Sequence, residues 1–361
     1  MRAPVQIKVP YTYLTQQFSP ERPLVQDILR EITEELRFGR FTLGPAVERL
    51  ERRWAELCGV RFAVGVNSGT DALSLALEVL RDEGMKGAVT TPHSFVATVG
   101  ACLEQDYKVE MVDIDETMNV DIRKVVISSR SLFLPVHWAG RPVALRYPDG
   151  TSLLPGIFVL EDACQAIGAK WDGQPVGSLG NLAAFSLHPL KNVNVWGDGG
   201  MITTNNVEYD RELRLLRNHG LADRDTVVRP GHNSRLDTIQ AIVAWHSLKE
   251  LEETTERRRA NAAYYDAFLQ AELGGFVIVP PRDPRAYEVF HLYVVTVPEE
   301  HRHSLLRYLD ERGIEAKVHY PIPLHLQPGL KTLGYHEGDF PVAERLAKTQ
   351  ISLPIHQYLT Q

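Results

Sequence analysis

The chain has 361 residues, of which 44% are hydrophobic and 24% are charged, a composition typical of a globular protein. The formal net charge is −7 and the basic run at 257–259 follows three glutamates, which argues against a nucleic-acid-binding surface. Three widely spaced cysteines, Cys58, Cys102 and Cys164, argue against a disulfide framework or a zinc site. The sequence shows no signal-peptide pattern and no apolar stretch of about 18 residues, so a cytoplasmic location is expected.

Strand and helix patterns alternate through the first two thirds of the chain. The first 20 residues are aromatic and predict an extended segment packed across one of the domains. The patterns then predict helices at 44–58, 71–80, 93–105 and 209–218, and strands at 61–66, 87–91, 109–112, 132–136, 157–160, 183–185 and 201–204. Such alternation is typical of an α/β layer with a largely parallel sheet.

The pattern changes after residue 204. A long helical pattern runs from 236 to 273 and suits a connection between two domains. The patterns beyond it predict strands at 276–279, 289–297 and 314–319, and a helix at 301–312. We therefore predict a large domain at residues 1–250 and a small α+β domain at residues 251–361.

Ligands of open α/β sheets bind beyond the carboxyl ends of the strands, and several predicted strands end in polar side chains. Gly69 and Thr70 open a helix whose free N–H groups suit a phosphate, although the turn is equally explained as a helix cap. Asp162 follows a buried strand and needs a cationic partner, unless it also caps a helix. Phe95, at another such turn, either stacks on a planar ligand or packs in the core.

Lys191 lies where the strand at 183–185 breaks into a turn, five residues after Ser186 and before a glycine-rich run. A desolvated lysine has a lowered pKa and can attack a carbonyl, as Schiff-base lysines do. The alternative is an ordinary lysine in a surface turn. The order of these motifs along the chain favours the reactive lysine.

Taken together, the motifs resemble the DegT/DnrJ/EryC1/StrS family of sugar aminotransferases, which use pyridoxal 5′-phosphate (PLP). The matching segments, which extend over nearly the whole chain, are 67–73, 92–98, 112–115, 136–137, 161–166, 177–180, 185–191, 197–200, 231–236 and 318–321. Two positions depart from the family pattern and could reshape the substrate pocket. Ile167 stands where the family often has histidine, and Asp198 stands where it often has glutamate.

The resemblance implies a type I, aspartate aminotransferase-like fold with a mostly parallel seven-stranded sheet, and a homodimer with shared active sites. It implies Lys191 as the Schiff-base lysine, with Asp162 holding the pyridine nitrogen protonated. The remaining implied cofactor contacts are Gly69, Thr70 and Ser186 at the phosphate, Phe95 stacked on the ring, Gln165 at its hydroxyl side, and Asn233 at the phosphate in the neighbouring subunit.

The implied activity is transfer of an amino group from an amino acid, expected to be glutamate, to a keto sugar in amino-sugar or surface-polysaccharide biosynthesis. A nucleotide-linked keto sugar is favoured, and a free keto sugar acid such as a keto-octulosonate is the alternative. Two further alternatives are a PLP-dependent sugar dehydratase and a non-catalytic PLP-binding regulator. The dehydratase would carry histidine in place of Lys191, and the regulator would not need all of Lys191, Asp162 and Ser186.

Substrate contacts are the least determined part of the sequence. The run at 318–327 contains His319, Tyr320 and His325, which either line the sugar side of the site or pack at the domain interface. Arg235 is a candidate for binding the carboxylate of the donor. Other histidines near the motif turns lack the paired spacing of metal ligands, so no metal is predicted.

Overall fold

The computed structural model describes residues 6–146 and 151–360. The α-helices in these ranges are α1 Leu14–Gln17, α2 Pro23–Leu36, α3 Pro45–Cys58, α4 Gly69–Asp82, α5 Val96–Glu104, α6 Val207–Leu216, α7 Thr238–Lys249, α8 Leu251–Leu273, α9 Glu299–Asp310 and α10 Pro341–Thr349. The strands are β1 Phe62–Val66, β2 Gly87–Thr90, β3 Lys108–Met111, β4 Ser131–Phe133, β5 Leu160–Asp162, β6 Lys170–Trp171, β7 Gln174–Pro175, β8 Leu182–Ser186, β9 Gly200–Thr204, β10 Ala286–Tyr287, β11 Tyr293–Thr296 and β12 Gln350–Leu353.

Two sheets lie edge to edge in the large part of the molecule. One has the order β3-β2-β4 and is parallel throughout, and the other has the order β1-β9-β8-β5. Parallel bridges from Phe133 to Val159 and from Val136 to Asp162 connect them. β9 runs antiparallel to both β8 and β1, so the layer is mixed rather than purely parallel.

Helices cover both faces of this layer because the strands are apolar on both sides. One core cluster contains Trp54 from α3 and Phe185 from β8, and a second contains Leu75 from α4 and Leu132 from β4. The polar residues that follow the strands are therefore left at the carboxyl ends, where loops and helix starts surround them.

A third core cluster lies within residues 262–355, around the antiparallel pair β11–β12. The division at residue 250 remains a prediction, because the second core cluster also contains C-terminal residues such as Leu324 and Phe340. The N-terminal segment, assigned above to the large domain, pairs with the smaller unit, because Val9 forms a parallel bridge with Ile314. The backbone N–H groups of Lys8 and Val9 also donate to the carbonyl of Gly313, at 2.8 and 2.9 Å.

Several predicted elements differ from those found. The helical pattern at 236–273 forms two helices that meet at Glu250, and α2 has no counterpart among the predicted elements. The predicted strands at 276–279 and 314–319 are reduced to single bridges of Ile278, Ile314 and Lys317. An alternating pattern needs a partner edge to become a strand, and the partner is set by distant residues. Within the described ranges, no helix combines the length and apolarity needed to cross a membrane.

Candidate active site

A cavity of about 440 Å³ opens beyond the carboxyl ends of β1, β5 and β8. Nine of the residues predicted from the sequence line it: Gly69, Thr70, Phe95, Asp162, Gln165, Ser186, Lys191, His319 and Tyr320. These residues come from both the large part of the chain and the smaller C-terminal unit. The cavity therefore has the composite wall expected of a site between two folding units.

The loop that carries Lys191 is fixed on both sides of the lysine. The Lys191 backbone N–H donates to the carbonyl of His188 at 2.8 Å, and its own carbonyl accepts from the Tyr13 hydroxyl at 3.1 Å. Further along, the Asn194 side chain exchanges two hydrogen bonds of 2.9 Å with the amide of Gln17. The lysine is thus presented to the cavity from a rigid support rather than from a mobile surface turn.

Burial lowers the pKa of Lys191 below the value of an exposed lysine, while Cys164 and Asp162 act in the opposite direction. The desolvation effect is the larger. The surface-turn alternative is therefore not supported, and a larger share of the amine is unprotonated near neutral pH than in an exposed lysine. An unprotonated amine is the form that attacks a carbonyl.

Two adjacent carboxylates at the end of β5 point to opposite faces of the sheet. Glu161 is fully buried and accepts hydrogen bonds from His137 and from the backbone N–H groups of Gly177 and Gly180, at 2.8–3.0 Å. Its hydrogen-bonding capacity is used within the protein. Asp162 faces the cavity instead, so the two carboxylates have different roles.

Asp162 is held in place by neutral donors. The Thr98 hydroxyl donates to it at 2.6 Å and the Cys164 backbone N–H at 3.2 Å, and Ser94 lies 2.6 Å from the Thr98 hydroxyl. No cationic side chain forms an ion pair with Asp162 in the described part of the chain. A buried carboxylate supplied only with neutral donors favours a positively charged group on a ligand.

The start of α4 forms an anion cradle, which we define as Gly69, Thr70 and Ser186. Ser68 caps the helix by accepting from the Asp71 backbone N–H at 3.0 Å, which leaves the first N–H groups directed outward. A Cβ atom at Gly69 would lie only 2.7 Å from the Cβ of Ser186. Glycine therefore lets the end of β8 meet the helix start, where backbone N–H groups suit a phosphate.

Phe95 and Gln165 lie at two further sides of the cavity. The Phe95 side chain is 53% exposed, and its ring centroid is 5.9 Å from that of Tyr320. The core-packing alternative for Phe95 is therefore not supported. The Gln165 side-chain oxygen accepts from the Ala139 backbone N–H at 2.7 Å, which leaves the amide nitrogen of Gln165 as a donor.

Sequence reasoning missed several residues of the cavity wall. They are Tyr11 and Tyr13 from the N-terminal segment, Arg258 from α8, His291, and His188 in the lysine loop. Only His188 lies inside a recognised motif. The others reach the cavity through tertiary packing, as Tyr11 does when it stacks on His319 with centroids 5.7 Å apart.

Three predicted site residues do not line this cavity. Asn233 is exposed, and Arg235 donates to the Asn218 side chain at 3.4 Å. His325 is buried, and its Nε2 atom bonds Glu344 at 2.9 Å, whose carboxylate accepts from backbone N–H groups of the loop at 338–340. The assignment of His325 to the substrate stays a prediction.

The two departures from the family pattern have different consequences. Ile167 is buried in the first core cluster and does not line the cavity, so it does not shape the pocket directly. Asp198 lines the cavity and adds a carboxylate near its mouth. Among the described residues, no group of three or more histidine, cysteine or acidic side chains is arranged to hold a metal ion.

His93, behind the cavity, gives a prediction about acid stability. Its ring packs 4.2 Å from Trp138, its Nε2 atom has no hydrogen-bond partner, and burial lowers its pKa to about 3. A histidine in the unfolded chain takes up a proton as the pH falls through about 6.5, whereas His93 in the folded protein does so only near pH 3. The free energy of unfolding is therefore unaffected by this histidine above pH 6.5, and it decreases as the pH falls from 6.5 towards 3. His93→Phe should unfold at a lower pH than the wild type in an acid titration followed by circular dichroism. The exposed His301→Phe serves as the control, and an unchanged midpoint for His93→Phe would contradict the prediction.

A half-buried lysine with a lowered pKa, an opposing carboxylate and an anion cradle on one α/β edge define the site of a PLP-dependent enzyme. The family model of the DegT/DnrJ/EryC1/StrS aminotransferase family matches residues 23–361. The chain belongs to this family, which confirms the resemblance drawn from the motifs.

Curated relatives match over most of their own length. The chain is 36% identical to a pleiotropic regulatory protein of Geobacillus stearothermophilus, covering 98% of this chain and 95% of the relative. It is 37% identical to the dTDP-3-amino-3,4,6-trideoxy-alpha-D-glucose transaminase of Streptomyces venezuelae, covering 91% and 86%. It is 34% identical to the UDP-N-acetyl-3-dehydro-alpha-D-glucosamine 3-aminotransferase of Acidithiobacillus ferrooxidans, covering 98% and 94%.

Solved structures agree with this assignment. DesV of S. venezuelae, in complex with a ketimine intermediate, superposes with a TM-score of 0.88 at 34% identity, covering 99% of this chain and 95% of DesV. A Bacillus subtilis protein, NtdA, with bound cofactor PMP, superposes with a TM-score of 0.86 at 28% identity, covering 99% and 82%. The predicted type of fold, the aminotransferase class and the PLP cofactor are thereby confirmed, whereas the seven-strand count stays a prediction.

Proposed function

We propose that this chain transfers an amino group from an amino acid, with glutamate the expected donor, to a nucleotide-linked keto sugar. The observation that carries the proposal is that Lys191, Asp162 and the anion cradle line one cavity. The names of the relatives from S. venezuelae and A. ferrooxidans support the sugar class. A cytoplasmic location and a role in amino-sugar biosynthesis belong to the same proposal.

The residues present fit PLP. The N–H groups of Gly69 and Thr70 and the Ser186 hydroxyl would hold the phosphate, because the glycine leaves the cradle open. The exposed face of Phe95 would stack on the ring, and the free amide nitrogen of Gln165 would donate to the ring hydroxyl. Asp162 would accept from the protonated ring nitrogen, which supplies the positive charge that this carboxylate lacks.

PLP, when bound, supplies an electron-accepting ring that makes a proton on the carbon beside the amino group removable. The Lys191 Nζ atom would hold the cofactor at rest and, once the amine of the donor takes its place, would be free to move that proton. The lowered pKa of Lys191 suits this role, because a base is most effective when its pKa lies near the working pH. Asp162 would hold the ring nitrogen protonated.

A homodimer is part of the proposal. Asn233 is exposed and lies outside the cavity of its own chain, which suits a contact with a cofactor in a neighbouring subunit. Large apolar side chains are also exposed, among them Phe38 at 64% and Phe41 at 55%. Such surfaces typically mark interfaces. Light scattering should give twice the mass of the chain, and a fully active monomer would refute the shared site.

The central experiment incubates the PLP-loaded protein with glutamate and a panel of dTDP- and UDP-linked 3-keto and 4-keto sugars. We expect 2-oxoglutarate to accumulate beyond one equivalent per active site only when an accepted keto sugar is present. Free keto sugar acids form a second panel, which tests the alternative substrate class. Absence of 2-oxoglutarate with every acceptor, and with other amino donors, would contradict the proposal.

A PLP-binding regulator without turnover is a second candidate, because one close relative is named a pleiotropic regulatory protein. Retention of Lys191, Asp162 and the anion cradle favours the enzyme. The same assay separates the two candidates, since a regulator would bind PLP and form no 2-oxoglutarate. The dehydratase alternative is disfavoured because position 191 is a lysine.

A further inference from the structure

Arg258, on α8, is a buried cation without an acidic partner. Its side chain is about 1% exposed and lines the cavity, and its Nη1 atom donates to the carbonyls of Phe290 and Ile355, at 3.0 and 2.7 Å. Its Nε and Nη2 atoms have no hydrogen-bond partner, and its guanidinium lies over the Tyr13 ring, 5.1 Å from the ring centroid. None of the ion pairs within residues 6–146 and 151–360 includes Arg258. A buried charge in this state is costly unless a ligand supplies the opposite charge.

His291 is a second polar side chain without a partner on the same wall. It is half-buried, it lines the cavity, and its Nδ1 atom has no hydrogen-bond partner. Burial holds its pKa well below the usual value, and the positive charges of Lys191 and Arg258 lower it further. Both cations therefore lie close enough to act on one imidazole ring.

The charged side chains of the described lining balance, with Lys191 and Arg258 against Asp162 and Asp198. Lys191 also lowers the pKa of His188 and of His319, the latter to about 4, after the larger effect of burial. Asp162 and Asp198 are the acidic residues among the described lining, and Asp162 is oriented by Thr98. Neither of these carboxylates forms an ion pair with Arg258, so an anion beside Arg258 and His291 would supply the opposite charge that Arg258 lacks.

We propose that Arg258 and His291 form a subsite for a carboxylate group of the amino donor. This inference rests on the proposed function and names the donor contact for it. A planar guanidinium whose Nε and Nη2 atoms are both left to donate matches the two oxygens of a carboxylate. Arg235, the candidate taken from the sequence, does not line this cavity, whereas Arg258 does.

The test uses glutarate, a dicarboxylate that lacks the transferable amino group, as the probe in calorimetric titrations of the PLP-loaded protein. Arg258→Met should weaken glutarate binding by about tenfold or more, and His291→Gln by several-fold, because each removes a hydrogen bond to a charged group. Arg258→Lys, which keeps the charge, should lie between the wild type and Arg258→Met. With an accepted keto sugar, the KM for glutamate should rise in the same order while the KM for the sugar stays constant.

Matched controls separate the subsite from general damage. Arg259→Met changes the next arginine on α8, which stacks on Tyr287 at 4.0 Å outside the cavity, and His301→Gln changes an exposed histidine. Both should bind glutarate as the wild type does. If Arg258→Met fails to fold, as judged by thermal unfolding, His291→Gln and Arg258→Lys still decide the question.

Unchanged glutarate affinity in folded His291→Gln and Arg258→Lys would overturn the inference. The same variants are also titrated with UDP. A loss of UDP affinity without a loss of glutarate affinity would also overturn the inference, and would assign Arg258 and His291 to the sugar nucleotide. The glutarate titrations need no turnover. A protein that transfers no amino group would therefore reject the proposed function while the titrations still report on the subsite.

Discussion

Lys191→Ala should abolish amino transfer, with turnover reduced by at least about 1,000-fold, because it removes both the covalent attachment point and the base. The variant should also lose the visible absorbance band of PLP attached through the lysine. Both quantities are measured on the purified protein, turnover as 2-oxoglutarate formation and attachment by the spectrum. An active Lys191→Ala protein would contradict the proposed chemistry.

The control for this variant is Lys249→Ala, which removes an exposed lysine at the end of α7. It should retain the band and the activity. The fold should tolerate Lys191→Ala because the loop is fixed through backbone atoms of residue 191 and through the Asn194–Gln17 pair. A normal thermal unfolding curve with lost activity would therefore assign the defect to the amine.

Asp162→Asn should slow amino transfer by roughly 100-fold or more while PLP still binds. The substitution removes the charge that would hold the ring nitrogen protonated, and losses of this size are typical when a positioned electrostatic group is removed from an active site. The shape is preserved, because an asparagine can still bond Thr98 and the Cys164 backbone N–H. Stopped-flow spectra of the reaction with glutamate alone would measure the rate of the first half-reaction.

Asp198→Asn is the informative comparison, since Asp198 is another carboxylate on the same cavity. It should have a much smaller effect on the first half-reaction, because nothing places it opposite Lys191 and the anion cradle. Equal losses in the two variants would mean that the cavity needs negative charge in general. Such a result would contradict the specific role of Asp162.

The sequence was most informative where chemistry depends on local order. Asp162, Ser186 and Lys191 each follow a short apolar strand, and Gly69 opens a helix directly after another. Strand ends of one sheet meet at one edge, so these residues converge whatever the rest of the chain does. The strand ends thus predicted that these residues lie together, whereas the type I fold and the role of each residue were implied by the family resemblance.

Tertiary structure decided which distant residues complete the wall. Tyr13 arrives from the N-terminal segment, Arg258 from the middle of a helix and His291 from a loop before β11, and no local pattern marks them. The same packing places His325 against Glu344 and outside the cavity, although His325 lies in the run at 318–327 with His319 and Tyr320. Local sequence motifs at strand ends thus determined the reactive groups. Long-range packing decided which charged residues surround them and which side chains have no partner in the protein and can bind a ligand.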